Sequence, residues 1–250
     1  MRIASAQIPM ADTIDGNLAT IVRFTEAAAE HHAEVILFPE MALTGLDHHL
    51  HEFWVKPDWP DQVRRGLEQL LACASATGVT MLVGAPHVTD DGCEDAVFQI
   101  DADVRIRHVG SKMLLATGER PWFVPGQDKL PTEIRGVSCG FVFCREGGMV
   151  DQLRGTGLEA SDLIFWHSGG TRNHLDTEGN VATDNCRLGG VALSEAFGAP
   201  VIQSTYVTYA LDQNDETRIL GGSVVVSADG EILQQAPFTE EYLQVCEYGG

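Results

Sequence analysis

The sequence has few basic side chains. Its 250 residues include 16 Lys and Arg against 36 Asp and Glu, which gives a formal net charge of -20 at pH 7. A field of this sign repels phosphate backbones and anionic membrane surfaces, so we expect neither nucleic acid nor a membrane as a partner. The acidic residues are spread along the chain, which is typical of a solubility feature rather than of a binding tail.

A long apolar run is also absent. No stretch approaches the roughly 20 apolar residues that cross a bilayer, and residues 1–11 lack the basic start and apolar run of an export signal. The cysteines show no C-x-x-C spacing, which argues against a zinc ribbon, a redox motif and a disulfide framework. We therefore expect a cytoplasmic protein with reduced thiols. The six cysteines are Cys73, Cys93, Cys139, Cys144, Cys186 and Cys246.

Short apolar runs alternate with segments of helical period, which predicts a mixed α/β fold. The length and the hydrophobic content of 44% suit one core, so we predict a single domain over residues 1–250. The predicted helices cover 17–32, 61–77, 148–159 and 181–197. The predicted strands cover 2–8, 34–38, 79–88, 96–100, 104–109, 134–144, 162–166, 200–207, 222–227, 231–235 and 243–247.

Three chemically distinct side chains follow predicted strands. Glu40 ends the run V-I-L-F-P-E, Lys112 follows residues 104–109, and Cys144 ends the run G-F-V-F-C. Reactive groups in α/β folds usually lie just beyond the carboxyl ends of strands. A carboxylate that takes a thiol proton, a thiolate that attacks a carbonyl or nitrile carbon and a cation for the developing charge form a coherent catalytic set. Each residue type alone is better explained by a structural role.

Four motifs along the chain resemble those of the nitrilase superfamily of carbon-nitrogen hydrolases. Residues 38–45, F-P-E-M-A-L-T-G, resemble the P-E-x-x-x-x-G segment that carries the catalytic glutamate of that family. Residues 111–113, S-K-M, resemble its lysine segment, and residues 140–146, G-F-V-F-C-R-E, resemble its cysteine strand. Residues 221–223 with the later Asp229-Gly230 are similar to its closing hairpin. The motifs occur in the family's order and span nearly the whole chain.

The resemblance implies a four-layer αββα sandwich with mixed sheets and a homodimer that packs through helices. It implies a catalytic triad of Glu40, Lys112 and Cys144. It also points to Glu119, in the segment G-E-R-P-W-F-V-P-G, as a positioning or proton-handling residue. The Lys112 ammonium and the backbone N–H of Arg145 would hold the oxyanion. This chemistry needs neither a metal nor an organic cofactor.

We therefore predict hydrolysis of a non-peptide C–N bond in a small linear amide or N-carbamoyl compound through a cysteine thioester. A nitrilase or an amide-forming acyltransferase with the same residues is one alternative. A catalytically idle binding protein on this scaffold is another. Two departures from the family's pattern leave the substrate open: Gly147-Gly148-Met149 follows the nucleophile where many relatives have Phe-Pro-Glu, and Glu195-Ala196 replaces the usual Glu-Asn.

Further polar residues are candidates for substrate binding. His167 and Asn173 follow another strand end and are predicted to contact substrate, although hydrogen bonding within a loop explains them equally well. Arg145 and Arg172 suit a substrate carboxylate, and surface ion pairing explains them equally well. Cys139 is the rival nucleophile, but it falls inside a predicted strand, which favours structural burial.

A histidine-rich stretch follows Gly45. No Cys or carboxylate at ligand spacing accompanies these histidines, so a solvated or pocket-lining loop is the simpler interpretation and no metal site is predicted. The three residues are His48, His49 and His51.

Overall fold

The structure, a computed structural model, describes residues 1–46, 56–103, 105–169, 183–207 and 221–249. In this part of the chain two six-stranded sheets lie face to face, and helices cover the outer face of each. The predicted αββα sandwich with mixed sheets is confirmed. None of the described helices is long and apolar enough to cross a membrane, and all six cysteines are free.

The first sheet joins the start and the end of the chain. Its strands are β1 (Arg2–Gln7), β2 (Val35–Leu37), β3 (Thr80–Thr89), β4 (Gly92–Asp101), β5 (Arg105–Ser111) and β12 (Tyr242–Glu247). Their order is β12-β1-β2-β3-β4-β5, with β1, β2 and β3 parallel and the other pairs antiparallel. Helices α1 (Ile14–Glu30) and α2 (Trp59–Thr77) pack on its outer face through apolar stripes.

The second sheet has a related arrangement. Its strands are β6 (Thr132–Ile134), β7 (Val137–Phe143), β8 (Leu163–His167), β9 (Val201–Ser204), β10 (Val224–Val226) and β11 (Ile232–Gln235). Their order is β11-β10-β9-β8-β7-β6, and β7, β8 and β9 are parallel. Helix α4 (Asn185–Phe197) and the short helix α3 (Val150–Leu153) cover its outer face.

Alternation along the strands fills the space between the sheets. Leu37 of β2 and Leu82 of β3 meet Phe141 and Phe143 of β7 in one buried cluster. Their neighbours in sequence point outward to the helices, as the period of two in a strand requires. This packing fixes the two sheets relative to one another, and the residues that follow β2, β5 and β7 lie close together as a result.

Two sequence predictions of local structure are corrected. Residues 134–144 form β6 and β7 rather than one strand, because Arg135 and Gly136 have φ values of 49° and 80° and make the tight turn of a hairpin. The predicted helix 148–159 is reduced to α3, since Gly155 and Gly157 have φ values of 76° and 104° and end it. The predicted hairpin across Asp229-Gly230 is confirmed by the antiparallel pairing of β10 and β11.

Candidate active site

The side chain of Lys112 is fully buried and lies among carboxylates. Its Nζ is 2.7 Å from Oε1 of Glu40 and 2.6 Å from Oε1 of Glu119. A third carboxylate, that of Asp95, places Oδ2 3.7 Å from the same Nζ. Burial alone would lower the pKa of Lys112, but the charges of Glu40 and Asp95 outweigh burial and raise this pKa above its usual value. Lys112 is therefore a permanent cation at neutral pH.

Glu40 follows β2 and is only 1% exposed. The backbone turns sharply after it, because Met41 has a φ of 53°. Gly84 on β3 passes directly under this turn: a Cβ at Gly84 would lie 2.4 Å from the Met41 nitrogen and 2.7 Å from the Pro39 oxygen. The close approach requires glycine at position 84 and fixes where the carboxylate of Glu40 can point.

Two side chains from the C-terminal half of the chain hold the carbonyl groups around Glu40. The hydroxyl of Tyr206 donates to the backbone carbonyl oxygen of Glu40 at 3.1 Å. Nδ1 of His167 lies 2.7 Å from the Phe38 oxygen and donates to it, since a carbonyl can only accept. Both side chains are fully buried, so the turn that carries Glu40 is anchored to the opposite sheet by hydrogen bonds shielded from water.

Cys144 follows β7 and begins a 3-10 turn, Cys144–Gly148. Its φ of 38° is a left-handed conformation that residues with a side chain rarely adopt, and strained residues of this kind cluster at functional sites. Nε1 of Trp166 donates to the Cys144 carbonyl at 2.9 Å and holds the turn. Burial and the charge of Glu40 raise the pKa of the Cys144 thiol to about 12, although Lys112 opposes them. The resting side chain is therefore a thiol.

Glu119 lies in a turn that follows Lys112. Its Oε1 accepts from Lys112 Nζ, and its Oε2 accepts from the Ala116 N–H at 2.6 Å. The carboxylate is thus fixed on both oxygens. Its side chain is 24% exposed, against 1% for Glu40, so Glu119 is the more accessible carboxylate of the two that contact Lys112.

Arg145 directly follows Cys144 in the sequence. Its N–H lies in the first turn of the 3-10 segment, where backbone N–H groups lack partners within the helix. Its guanidinium donates to the Leu115 oxygen at 3.1 Å, which directs the side chain toward the lysine segment. The roles of this N–H in an oxyanion hole and of the guanidinium in substrate binding stay predictions.

Asp95 was not singled out from the sequence. It lies on β4 with 1% exposure, and its carbonyl accepts from the Lys112 N–H at 2.9 Å. Burial and the nearby Glu40 raise the pKa of Asp95 well above its usual value, and a hydrogen bond to Glu40 adds to this shift. Three carboxylates thus face the buried Lys112 ammonium. A proton on Asp95 relieves the repulsion between this carboxylate and Glu40.

A second buried ion pair, also not predicted, joins Glu146 to Lys129 with an Oε2 to Nζ distance of 2.7 Å. The same oxygen accepts from the Phe143 N–H, and Oε1 accepts from the N–H groups of Met113 and Leu114. Four donors therefore satisfy the carboxylate. Glu146 ties the turn that begins at Cys144 to the segment that follows Lys112. The chain has only three lysines, at 56, 112 and 129. This rarity is the one feature of the sequence that could have drawn attention to Lys129.

His167 is the last residue of β8, at the strand end that the sequence analysis pointed to. Its ring is fully buried between the sheets, beside Phe141 and Phe143 at centroid distances of 6.0 and 5.8 Å. Burial lowers the pKa of His167 to about 3, so the ring is neutral. Its contacts are those of a residue that supports the Glu40 turn. The predicted substrate contact gains no support from this placement.

The other minor candidates fall into two groups. Cys139 lies within β7, is fully buried, and has its pKa raised by burial to about 12, in accord with the structural burial that its position suggested. Three predictions or alternatives concern residues outside the described part of the chain: the substrate contact of Asn173, carboxylate binding by Arg172, and the loop that contains His48, His49 and His51.

Two cavities border the turn that begins at Cys144. One, of about 470 Å³, is lined by Cys144, Arg145, Trp166 and Leu188 among others. The second, of about 490 Å³, is lined by Arg145 and by residues that follow Lys112, among them Leu115 and Phe123. Arg145 borders both. Gly169 approaches Glu40 closely, because a Cβ at this position would lie 2.6 Å from Oε2 of Glu40.

A family model described as carbon-nitrogen hydrolase matches residues 2–247. The chain belongs to this family. The resemblance to the nitrilase superfamily seen in the motifs is thereby confirmed.

Curated relatives of this carbon-nitrogen hydrolase include two glutamine-dependent NAD(+) synthetases. That of Acinetobacter baylyi is 22% identical over an alignment of 252 residues. The alignment covers 99% of this chain and 44% of the synthetase. That of Thermotoga maritima is 23% identical over 248 residues, which cover 96% of this chain and 41% of the synthetase. The chain thus spans less than half of the length of these relatives.

Solved structures with the same fold include an amidase and a synthetase. A mutant of the amidase from Nesterenkonia sp. AN1, which shows the Michael addition of acrylamide at its active site cysteine, has a TM-score of 0.79 and 18% identity, and the match covers 99% of this chain and 93% of the amidase. The glutamine-dependent NAD+ synthetase of Acinetobacter baumannii has a TM-score of 0.80 and 19% identity, with 98% and 44% covered. A further mutant of the amidase, in complex with butyramide, has a TM-score of 0.76 and 19% identity, with 98% and 89% covered.

Proposed function

We propose that this carbon-nitrogen hydrolase cleaves the C–N bond of a small amide through a thioester on Cys144. One arrangement carries the proposal: the buried Lys112 ammonium is hydrogen-bonded to both Glu40 and Glu119 beside a cysteine held at positive φ. A base, a cation and a nucleophile thus meet on rigid elements of both sheets. A structural role for this set would not require the strained conformation of Cys144.

Acylation begins with proton transfer. Because its pKa is about 12, the Cys144 thiol must lose its proton as sulfur attacks the carbonyl carbon. Glu40 accepts this proton while the S–C bond forms and the carbonyl π electrons move to oxygen. The oxyanion is stabilised by the ammonium of Lys112 and the backbone N–H of Arg145. Glu40 then gives the proton to the amide nitrogen, the C–N bond breaks, and ammonia or an amine leaves.

Deacylation repeats these steps with water. Water attacks the thioester carbon and loses a proton to Glu40 or Glu119. The C–S bond breaks, the carboxylic acid leaves, and the proton returns to the sulfur of Cys144. Atoms balance without a redox partner. Glu119 suits proton exchange with water because its side chain is the more exposed of the two.

A primary amide is the substrate class that we favour. The relatives are named as glutamine-dependent, and the amidase structures name acrylamide and butyramide. These three compounds share a terminal carboxamide, which Cys144 can attack with ammonia as the leaving group. N-carbamoyl compounds fit the same site. Nitriles and acyl transfer to an amine are the competing activities of the same residues.

Ammonia release from butyramide, glutamine, an N-carbamoyl amino acid and butyronitrile tests the proposal. We expect wild type to release ammonia from at least one amide, Cys144→Ala to release none, and the matched variant Cys139→Ala to retain the activity. Formation of a hydroxamate when hydroxylamine is added distinguishes acyl transfer from hydrolysis. Ammonia release by Cys144→Ala equal to that of wild type would refute the mechanism. The homodimer and the cytoplasmic location stay predictions.

A further inference from the structure

Three potential metal ligands meet on the outer face of the first sheet. His87 of β3 and Glu94 of β4 are directly paired across the strands, and His108 of β5 lies on the same face. Their side chains are 31%, 14% and 34% exposed, so an ion can reach them from solvent. The triad Glu40–Lys112–Cys144 does not include any of them, and the proposed hydrolysis leaves them without a role.

The distances between the ligand atoms suit one small cation. Nδ1 of His87 is 3.5 Å from Oε2 of Glu94, and Nε2 of His108 is 3.9 Å from the same oxygen. All three atoms lie within 4.8 Å of one another. A tetrahedral Zn²⁺ with bonds of about 2.0–2.2 Å places its nitrogen and oxygen ligands roughly 3.3 Å apart. Small side-chain rotations would bring the three atoms to that spacing.

One ligand atom lacks a partner. Nδ1 of His87 is buried and makes no hydrogen bond among the described residues. A buried polar nitrogen without a partner is costly, and an ion at this point would satisfy it. Nδ1 of His87 lies 3.5 Å from Oε2 of Glu94, and an ion placed between them would bind both atoms.

The rings of the two histidines are already ordered. His87 and His108 stack with centroids 4.3 Å apart, and both contact Phe98 edge-on at 5.6 and 6.0 Å. Little side-chain freedom is lost when an ion binds rings held in this way.

Ser111 supplies a supporting hydrogen bond. Its hydroxyl donates to Oε2 of Glu94 at 2.7 Å and lies 2.8 Å from Nε2 of His108. Because the hydroxyl gives its hydrogen to Glu94, its oxygen accepts from Nε2–H of His108. An ion bound at Nε2 replaces that hydrogen, and the Ser111 hydroxyl continues to orient Glu94, as outer partners of metal ligands do. A cavity of about 370 Å³ borders Glu94 and His108 and leaves room for a water molecule as fourth ligand.

We propose that His87, Glu94 and His108 form a binding site for a divalent transition-metal ion of the Zn²⁺ type. Two imidazoles and one carboxylate are a donor set that suits Zn²⁺ and Co²⁺ and suits Ca²⁺ or Mg²⁺ poorly. Ser111 precedes Lys112, so the ion also tethers the strand that delivers the catalytic ammonium. The site is independent of the proposed hydrolysis and does not supply its nucleophile.

The test uses the full chain with Cys144→Ala in every sample, so that the nucleophile thiol cannot bind metal. After treatment with a chelator and its removal, Co²⁺ is titrated while visible absorption is recorded, and Zn²⁺ is titrated by calorimetry. We expect one equivalent to bind with the spectrum of nitrogen and oxygen ligands. Thiolate-to-cobalt charge transfer, which would report Cys93 or another thiol, would overturn the assignment.

Variants locate the ion. We expect His87→Ala and His108→Ala each to weaken binding at least roughly a hundredfold, because loss of an outer partner alone costs up to that factor. The control His31→Ala/His32→Ala removes two exposed histidines elsewhere and should bind as the parent does. Zn²⁺ should also raise the melting temperature of the parent but not of His87→Ala, which excludes misfolding as the explanation. No stoichiometric binding by the parent, or unchanged binding by both variants, would refute the site.

Discussion

Oε2 of Glu146 lies 2.7 Å from Nζ of Lys129, and both side chains are buried. Nζ of Lys129 also donates to the backbone carbonyl oxygen of Ser111 at 2.8 Å. Ser111 precedes Lys112 in the sequence. Glu146 is two residues beyond Cys144 and accepts from the backbone after Lys112 as well. One buried ion pair therefore sets the position of the turn that begins at Cys144 relative to the ammonium of Lys112.

Removal of this pair should cost stability and alignment together. We predict that Lys129→Met lowers the free energy of unfolding by about 3 to 5 kcal/mol, because it leaves Glu146 as an unpaired buried charge. Urea denaturation measures the change. The matched control is Lys56→Met, which alters an exposed lysine and should leave stability within about 0.5 kcal/mol of wild type. Equal stability of Lys129→Met and Lys56→Met would contradict the role of the pair.

Asp95 should hold its proton to a higher pH in the folded protein than in the unfolded chain. Its pKa is raised by burial and by Glu40, so between the unfolded value of about 3.9 and the raised value the unfolded chain binds fewer protons than the folded one. Stability contributed by this group is therefore lost as the pH rises through that interval. We predict that Asp95→Asn, which is neutral in both states, gains stability over wild type as the pH rises from 4 to 7. A gap in unfolding free energy that stays constant with pH would contradict a raised pKa of Asp95.

The resting nucleophile should be a thiol. Burial and Glu40 raise the pKa of Cys144 to about 12, above the ordinary thiol value of about 8.5. We predict that the difference in thiolate absorption between wild type and Cys144→Ala shows no step across the ordinary thiol range. A step below about pH 7 would instead indicate a preformed thiolate. Glu40 would then not be needed as the base of acylation.

His167 should make the protein less stable in acid. Its pKa is lowered by burial to about 3 from 6.5, so between these pH values the unfolded chain binds the extra proton and unfolding becomes easier as pH falls. The slope is at most about 1.4 kcal/mol per pH unit. We predict that His167→Asn, whose amide can still donate to the Phe38 oxygen, has a smaller slope in urea unfolding than wild type. The control His31→Asn should keep the wild-type slope, and a slope retained by His167→Asn would exclude this group as the cause.

The fold could be predicted from the sequence where period and motif agree. The runs before Glu40 and Cys144 are apolar enough to be buried strands, and the structure places both residues just beyond β2 and β7. The resemblance of the motifs predicted the αββα sandwich, which periodicity alone does not distinguish from other layered α/β folds. The turn at Arg135-Gly136 was missed because the apolar residues on both sides read as one strand.

The supporting residues of the site were harder to predict. Asp95 lies on β4 one residue before the predicted strand 96–100, and nothing local separates a buried carboxylate from an exposed one. Glu146 and Lys129 are 17 residues apart, so their pairing depends on the packing of the whole chain. His167 was foreseeable: it continues the alternation of Leu163 and Phe165, which face the other sheet.

The covalent intermediate is the most direct test of the account. Wild type is mixed with its best amide substrate, quenched in acid within the first turnovers and analysed by intact and peptide mass spectrometry. The account predicts an acyl group on the peptide that contains Cys144, formed with ammonia release and absent from Cys144→Ala. Turnover by wild type with the acyl group on Cys139, or on a residue other than Cys144, would contradict it.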